Sequence, residues 1–236
     1  MAEQLPLPLP SEPSFAPEDL IADASNQAAL DFLATPAGWP LGRLALHGPE
    51  GVGKTHMLRV FSPGWRRLYG PGLTLADALA PASQTALDDA QAAPEEALLH
   101  LINRCAEARA PLLLAARTPP ARWTTALPDL QSRLRATTAL PIAAPSDALL
   151  ATLLAKHLAD RQLRMEVPAR AFLLARLPRR AAAVAAAVAM LDHASLAEGA
   201  ALTRPFVARI LGGMLQFDDG SFTTLQDTSP EGPSSE

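Results

Sequence analysis

Eight residues, Gly48-Pro49-Glu50-Gly51-Val52-Gly53-Lys54-Thr55, carry the spacing G-x-x-x-x-G-K-T. Gly48 and Gly53 allow a tight turn that aims successive backbone N–H groups at phosphate oxygens. A helix opening at Gly53 adds its positive end to the same anion. Lys54 is placed to reach the β- and γ-phosphates of a nucleotide, and the Thr55 hydroxyl to ligate Mg2+. The chain has two lysines, Lys54 and Lys156, while arginine supplies the other basic charge. One of the two therefore stands where a flexible point cation is wanted. Asp88-Asp89 follows a second apolar run; Asp88 is assigned to the metal and Asp89 to orienting the attacking water. An accidental glycine turn and a solvated acidic turn are the plain alternatives. The apolar run before Gly48 and the helical pattern after Gly53 argue against them.

Composition narrows the class. Of 236 residues, 49 % are apolar, enough for a sizeable core in one large or two small domains and incompatible with wholesale disorder. Aromatics amount to 5 % and alanine is abundant, which favours helix over strand. Twenty basic residues against 24 acidic ones leave a net charge of −4, unlike the basic footprint of a free-standing nucleic-acid binder. The single cysteine, Cys105, excludes a disulfide framework and a Cys-rich zinc site; it reads as a packing residue. The five histidines show no ligand spacing. Met1-Ala2-Glu3 lacks the basic start of a signal peptide. The small-apolar run over 181–191 is shorter than the ~20 residues of a bilayer span. The expected location is cytoplasmic, with no membrane partner.

Short apolar runs at 44–47, 85–87 and 112–115, a possible strand at 66–69 and a strand near 138–142 alternate with helical patterns at 26–33, 53–61, from 94 onward, and at 128–134. That alternation predicts a parallel α/β sheet. Beyond Pro145 no strand-like run occurs. Ser146-Asp147, Pro168, Arg179 and Thr203-Arg204-Pro205 each open a helix instead. The expected layout is a disordered proline-rich arm over 1–17, an α/β nucleotide-binding domain over 18–145, a helical domain over 146–211 and a disordered acidic tail over 212–236.

At these residues the chain resembles the AAA+ ATPases, and within them the DnaA-like group. Asp23-Ala24-Ser25-Asn26 resembles the segment that approaches adenine there. Gly51-Val52-Gly53-Lys54-Thr55-His56 is similar to the group's loop wording, and Asp88-Asp89-Ala90-Gln91 to its second acidic motif. Leu130-Gln131-Ser132-Arg133-Leu134 resembles the box that carries its arginine finger. The likeness spans roughly residues 15–211. It implies an AAA+ P-loop NTPase, with a parallel sheet core and a small all-helical lid, holding ADP or ATP with Mg2+. Asn26, Arg179 and Arg180 join the phosphate loop as nucleotide-binding candidates. Arg133 is expected to reach the γ-phosphate on an adjacent subunit, although a cation in the last turn of a helix also has a purely structural use. Arg179-Arg180 opens a helix, where the dipole disfavours positive charge; a plain surface pair is the alternative. Two departures stand out. The run 112–116 ends in Ala115-Ala116, where the family places a polar side chain beside the γ-phosphate, leaving Arg117 or Thr118 as substitutes. The family's lid arginine aligns nearer Ala182. Both leave intrinsic hydrolysis open.

An initiator of this group continues into a basic helix-turn-helix domain, whereas an acidic tail follows here; this points to the shorter homologues that regulate DnaA. Gln4-Leu5-Pro6-Leu7-Pro8-Leu9 fits Q-L-x-L-P-L, the hexapeptide by which bacterial proteins dock on the sliding clamp, the β subunit of DNA polymerase III. Leu5, Leu7 and Leu9 cannot join a core from a proline-rich arm and are free to fill a partner's pocket. Pro8 and its neighbours lower the entropy lost on docking. A generic proline-rich leader is the plain alternative. The implied function is a regulator of replication initiation that binds adenine nucleotide, docks on the clamp and stimulates ATP hydrolysis by DnaA. DNA is met through the clamp, and homo-oligomerisation is left open. The alternatives are an autonomous AAA+ loader or remodeller, and a non-hydrolysing nucleotide-bound adaptor.

Overall fold

The computed structural model describes residues 17–81 and 83–215. The candidate docking residues Gln4, Leu5, Leu7, Pro8 and Leu9, and the tail beyond 215, lie outside the described residues. After a 3-10 turn at Pro17–Asp19 come α1 (Gln27–Leu33), β1 (Arg43–His47), α2 (Lys54–Phe61), β2 (Arg66–Tyr69) and α3 (Leu75–Leu79). Then follow β3 (Thr85–Asp88), α4 (Glu95–Glu107), β4 (Leu112–Ala116), α5 (Pro128–Arg135) and β5 (Thr138–Pro141). The described strands form one parallel sheet in the order β2-β3-β4-β1-β5. Because β4 lies between β3 and β1, the chain leaves β1 toward one edge and returns beside it later. That crossover opens a crevice at the carboxyl ends of β1, β3 and β4, where ligands of open parallel sheets sit.

The central strands are apolar on both faces, as parallel strands covered by helices must be. Ala45, Leu112 and Leu114 point into the core beneath α4 and α5, and Cys105 is buried there too. Leu44, Leu46, Leu113 and Ala115 point to the opposite side, against Ala29 and Leu33 of α1 and Met57 and Leu58 of α2. Small α3 gives no periodic signal in the sequence; a capping box between Thr74 and Asp77 fixes its start.

A separate core belongs to the helical lid: α6 (Asp147–Asp160), α7 (Val167–Leu174), α8 (Ala181–Glu198) and α9 (Arg204–Leu215). Helix α9 runs four residues beyond the expected boundary at 211, so Gly212-Gly213 does not end it. Helix α8 likewise extends past the 181–191 run. At 18 residues and a mean hydropathy of 1.3 it is, among the described helices, long and apolar enough to cross a membrane by length and composition alone. Its Val184, Ala187, Val188 and Leu191 stripe is buried in the lid core.

The Asp23 carboxylate ties the lid to the sheet domain. Asp23 accepts from the Ser146 hydroxyl at 2.7 Å and the Ser25 hydroxyl at 2.6 Å, with further bonds from both backbone N–H groups. Ser146 in turn caps α6 through the Leu149 N–H. The Ser146 hydroxyl, then Ser25, hold the Asp23 carboxyl far below its ordinary pKa. A depressed carboxyl adds stability that is fully present above the ordinary value of 3.8 and is lost as pH falls through the lower folded value. Asp23→Ala is therefore expected to cost about 1 kcal/mol at pH 7. Thermal unfolding should show that loss at neutral pH and a shallower decline of stability below pH 4 than in the parent.

Candidate functional site

The segment after β1 closes around a space at the crevice. Gly48 lies so close to the strand β5 exit that a Cβ there would sit 2.2 Å from the Ile142 carbonyl oxygen. Only glycine fits without moving backbone. Lys54, at the first position of α2, bends back over the loop and donates to the carbonyls of Gly48 at 2.8 Å and Pro49 at 2.6 Å. Burial holds its ammonium below the usual lysine range; the Asp88 carboxylate opposes that shift and the nearby Arg117 charge adds to it. A cation with desolvation to recover is well placed for an anion. Thr55, one residue on, donates its hydroxyl to the Asp88 Oδ2 at 2.7 Å.

Thus the loop and the acidic pair meet. Thr55 comes from the first turn of α2 and Asp88 from the end of β3, and a small divalent ion could be shared between their oxygens. No cluster of three or more His, Cys, Asp or Glu able to hold a metal occurs among the described residues. That donor set suits Mg2+, which binds through one or two protein oxygens and completes its shell with phosphates and water. Asp89 adopts a left-handed conformation, φ 49°, uncommon outside glycine but tolerated by aspartate. Gly70 makes room for it: a Cβ there would lie 2.1 Å from the Asp89 carbonyl oxygen. The Asp89 side chain lines the same cleft as Lys54, Thr55 and Asp88.

The cleft, about 1280 Å³, runs between the phosphate loop and the lid. Its lid wall joins the small-residue face of α8, with Ala181, Ala182, Ala185, Ala186 and Ala189, to Lys156, His157 and Asp160 of α6, and the Ala182 N–H donates to the Gly51 carbonyl. Of the loop residues, Glu50, Gly51, Gly53, Lys54 and Thr55 line it, while Val52 is buried beneath. Pro49 shares in the loop through its carbonyl bond to Lys54.

The arginine pair at the start of α8 divides. Arg180 lays its stem over Gly51, where a Cβ would meet it at 3.1 Å. Arg179 pairs with Asp147 at 2.9 Å and borders a different, smaller hollow of about 340 Å³ with Asp23, Ala24 and Ser25. Asn26 faces neither space with a free amide. Its Oδ1 accepts from the Asp23 N–H and its Nδ2 donates to the Ile21 carbonyl, both at 2.9 Å. Its side chain closes a turn, and any approach to a base falls to the backbone around it.

Arg133 is remote from the loop. Its backbone carbonyl accepts from the buried Arg43 guanidinium at 3.1 Å and from the Thr137 hydroxyl at 2.9 Å, which fixes the end of α5 beside the first residue of β1. The phosphate loop leaves the last residue, so about 15 Å of strand separates the two. The Arg133 side chain is 33 % exposed and held by Asp129 of its own helix at 3.4 Å.

Sequence reasoning passed over Arg43 and Thr137, which anchor that helix. It also passed over the clasp on Lys156, which faces the cleft between Asp19 at 2.5 Å and Asp160 at 3.1 Å. The scarcity of lysine was the signal available for it.

Residues 147–211 match the family described as Hda, lid domain. Over 232 residues the chain is 29 % identical to an uncharacterised protein of Haemophilus influenzae, covering 89 % of this chain and 99 % of that one. Its fold is similar to domain III of the Thermotoga maritima replication initiation protein DnaA, with a TM-score of 0.72 and 16 % identity over 87 % of this chain and 98 % of that one. Replication initiator DnaA bound to AMPPCP and single-stranded DNA aligns at a TM-score of 0.62 and 16 % identity, over 80 % and 69 %. The Thermotoga maritima RuvB branch migration motor aligns at 0.64 and 16 %, over 83 % and 70 %. At these identities the likeness is one of fold: a parallel sheet domain with a helical lid.

Proposed function

We infer that this chain, a DnaA-like AAA+ protein with an Hda-type lid, is a nucleotide-dependent regulator of replication initiation. It binds ADP or ATP in the cleft between loop and lid, and a solved DnaA relative holding AMPPCP supports that reading. Lys54 and the loop amides take the phosphates, while Thr55 and Asp88 hold Mg2+, which screens phosphate charge when bound. Asp89 orients water near the phosphates. The arm residues Gln4, Leu5, Leu7, Pro8 and Leu9 dock on the sliding clamp, and the clamp brings the chain to DnaA.

The observation that carries this reading is the position of Arg133. It stands at the opposite end of β1 from the chain's own phosphate loop, too far to serve it. Its guanidinium, held among the described residues by an exposed carboxylate one helical turn away, is available to a nucleotide on a neighbouring subunit. There a cation stabilises charge on the transferring phosphoryl group.

The test is ATP hydrolysis by DnaA with clamp loaded on DNA, with and without the full chain. Acceleration is expected. Replacing Gln4 and Leu5 together by alanine should remove it at limiting protein, because tethering acts through effective concentration; excess protein should restore it. Unchanged acceleration at every concentration would remove the clamp from the proposal. A second reading, an adaptor that holds nucleotide only as a structural ligand, is favoured by Ala115 and Ala116 at the end of β4, which line the cleft without a polar group. A Lys54→Ala variant that still accelerates DnaA hydrolysis would select it.

A further inference from the structure

Three neighbouring strands, β4, β1 and β5, enter the sheet at the end away from the phosphate loop. The chain leading into them carries Arg109 three residues before β4, Leu41 two before β1 and Arg135 three before β5. At the spacing of paired strands, these positions lie within about 10 Å of one another across the sheet.

Leu41 is out of place on two counts. It is 63 % exposed, and it stands at φ 55°, ψ 20° in a turn that the Gly42 N–H closes on the Trp39 carbonyl at 3.0 Å. Left-handed backbone at that turn position suits glycine or asparagine and disfavours a larger side chain. Arg109 repeats the conflict one strand over. It is exposed and has φ 53°, just after α4, where glycine commonly ends a helix. A local preference broken twice with no gain in packing marks positions that serve something outside the fold.

Charge agrees. Arg109 and Arg135 are exposed, and among the described residues neither has a carboxylate within ion-pair distance. With Arg104 and Arg133, which pair with Glu107 and Asp129, they leave this end with a surplus of positive charge. The cleft at the other end is the reverse: six carboxylates, Asp19, Glu50, Asp88, Asp89, Asp160 and Asp192, line it against four lysines and arginines. A cleft of that kind, with phosphates in it, is the electrostatic complement of the basic end.

We propose that Leu41, flanked by Arg109 and Arg135, docks on the rim of the nucleotide cleft in the neighbouring AAA+ subunit that Arg133 serves. Leu41 buries its side chain there, and the two arginines meet the acidic groups around it. The proposal rests on the regulator reading above, in which that subunit is DnaA. Leu41 is a positioning residue. Two residues after it, Arg43 donates to the Arg133 carbonyl at 3.1 Å, so contact at Leu41 sets where the end of α5 comes to rest.

The test titrates DnaA and DNA-loaded clamp with the full chain, and reads the half-saturating concentration and the plateau rate of ATP hydrolysis. The thermal midpoint of the chain alone is read beside them. Leu41→Asn should raise the half-saturating concentration about tenfold, keep the plateau, and unfold no lower than the parent, because asparagine suits the turn. Leu41→Met, which keeps the apolar volume, should match the parent. Arg109→Gly should raise the half-saturating concentration about threefold, a difference that added salt narrows, and should also unfold no lower. A half-saturating concentration that does not move, or a thermal midpoint that falls with the acceleration, overturns the proposal. So does a change in self-association by sedimentation with stimulation of DnaA intact, which would give this face to a second copy of the chain. A parent that gives no acceleration removes the regulator reading itself, before any variant is compared.

Discussion

Lys54→Ala is expected to lose about a hundredfold or more in affinity for ADP and ATP alike. The ammonium already lies against the loop carbonyls of Gly48 and Pro49, so the alanine variant loses a pre-placed cation and leaves those oxygens facing the phosphates. Thermal unfolding gives a second reading of the same loss. Nucleotide at 100 times the parent's dissociation constant should stabilise the parent by about 2.7 kcal/mol and the variant by about 0.4 kcal/mol. Without nucleotide the two should unfold together, because Lys54 makes no contact that the core depends on. Equal stabilisation of both would show that the nucleotide, if bound, sits elsewhere.

Arg133→Ala is expected to reduce the chain's acceleration of DnaA-bound ATP hydrolysis by about a thousandfold, the scale on which an arginine finger acts in trans. Its own nucleotide affinity should stay unchanged, since about 15 Å of strand separates Arg133 from the phosphate loop. That combination distinguishes a finger from a structural residue. The helix end is held by the Arg133 carbonyl, through Arg43 and Thr137, and the alanine variant keeps that carbonyl. Arg133→Lys retains the charge but not the planar fork, and it should recover only part of the rate. A variant that accelerates as well as the parent would leave the far-end arginine without a catalytic part.

The central strands were legible because they are covered on both faces and so read as unbroken apolar runs. Leu112-Leu113-Leu114 is wholly buried in β4, and Leu44-Ala45-Leu46 in β1. The phosphate loop was legible because its chemistry lies within eight consecutive residues. Helix α3 was not, since five residues are too few to show a period. The tail boundary failed at α9 because packing of Phe206, Val207 and Leu211 in the lid core outweighs the low helix propensity of Gly212-Gly213.

At the site, what escaped the sequence were pairings between distant residues. Asp23 and Ser146 stand 123 positions apart, and Glu50 meets Arg117 from the loops that follow neighbouring strands β1 and β4; neither pairing leaves a local pattern. The arginines at 179 and 180 look alike in the sequence, both opposing the helix dipole. Tertiary contacts alone send one to Asp147 and the other over Gly51. Asn26 shows the opposite case: a motif match singled it out, yet its amide is spent on the backbone of its own turn.

The decisive measurement is calorimetric titration of the intact chain with ADP and with ATP in the presence of Mg2+. One nucleotide bound per chain, by protein that unfolds cooperatively, is the expected result. A well-folded chain that gives no heat and no thermal stabilisation with either nucleotide would contradict the reading of the cleft, and the roles given to Lys54, Thr55 and Asp88 would fall together.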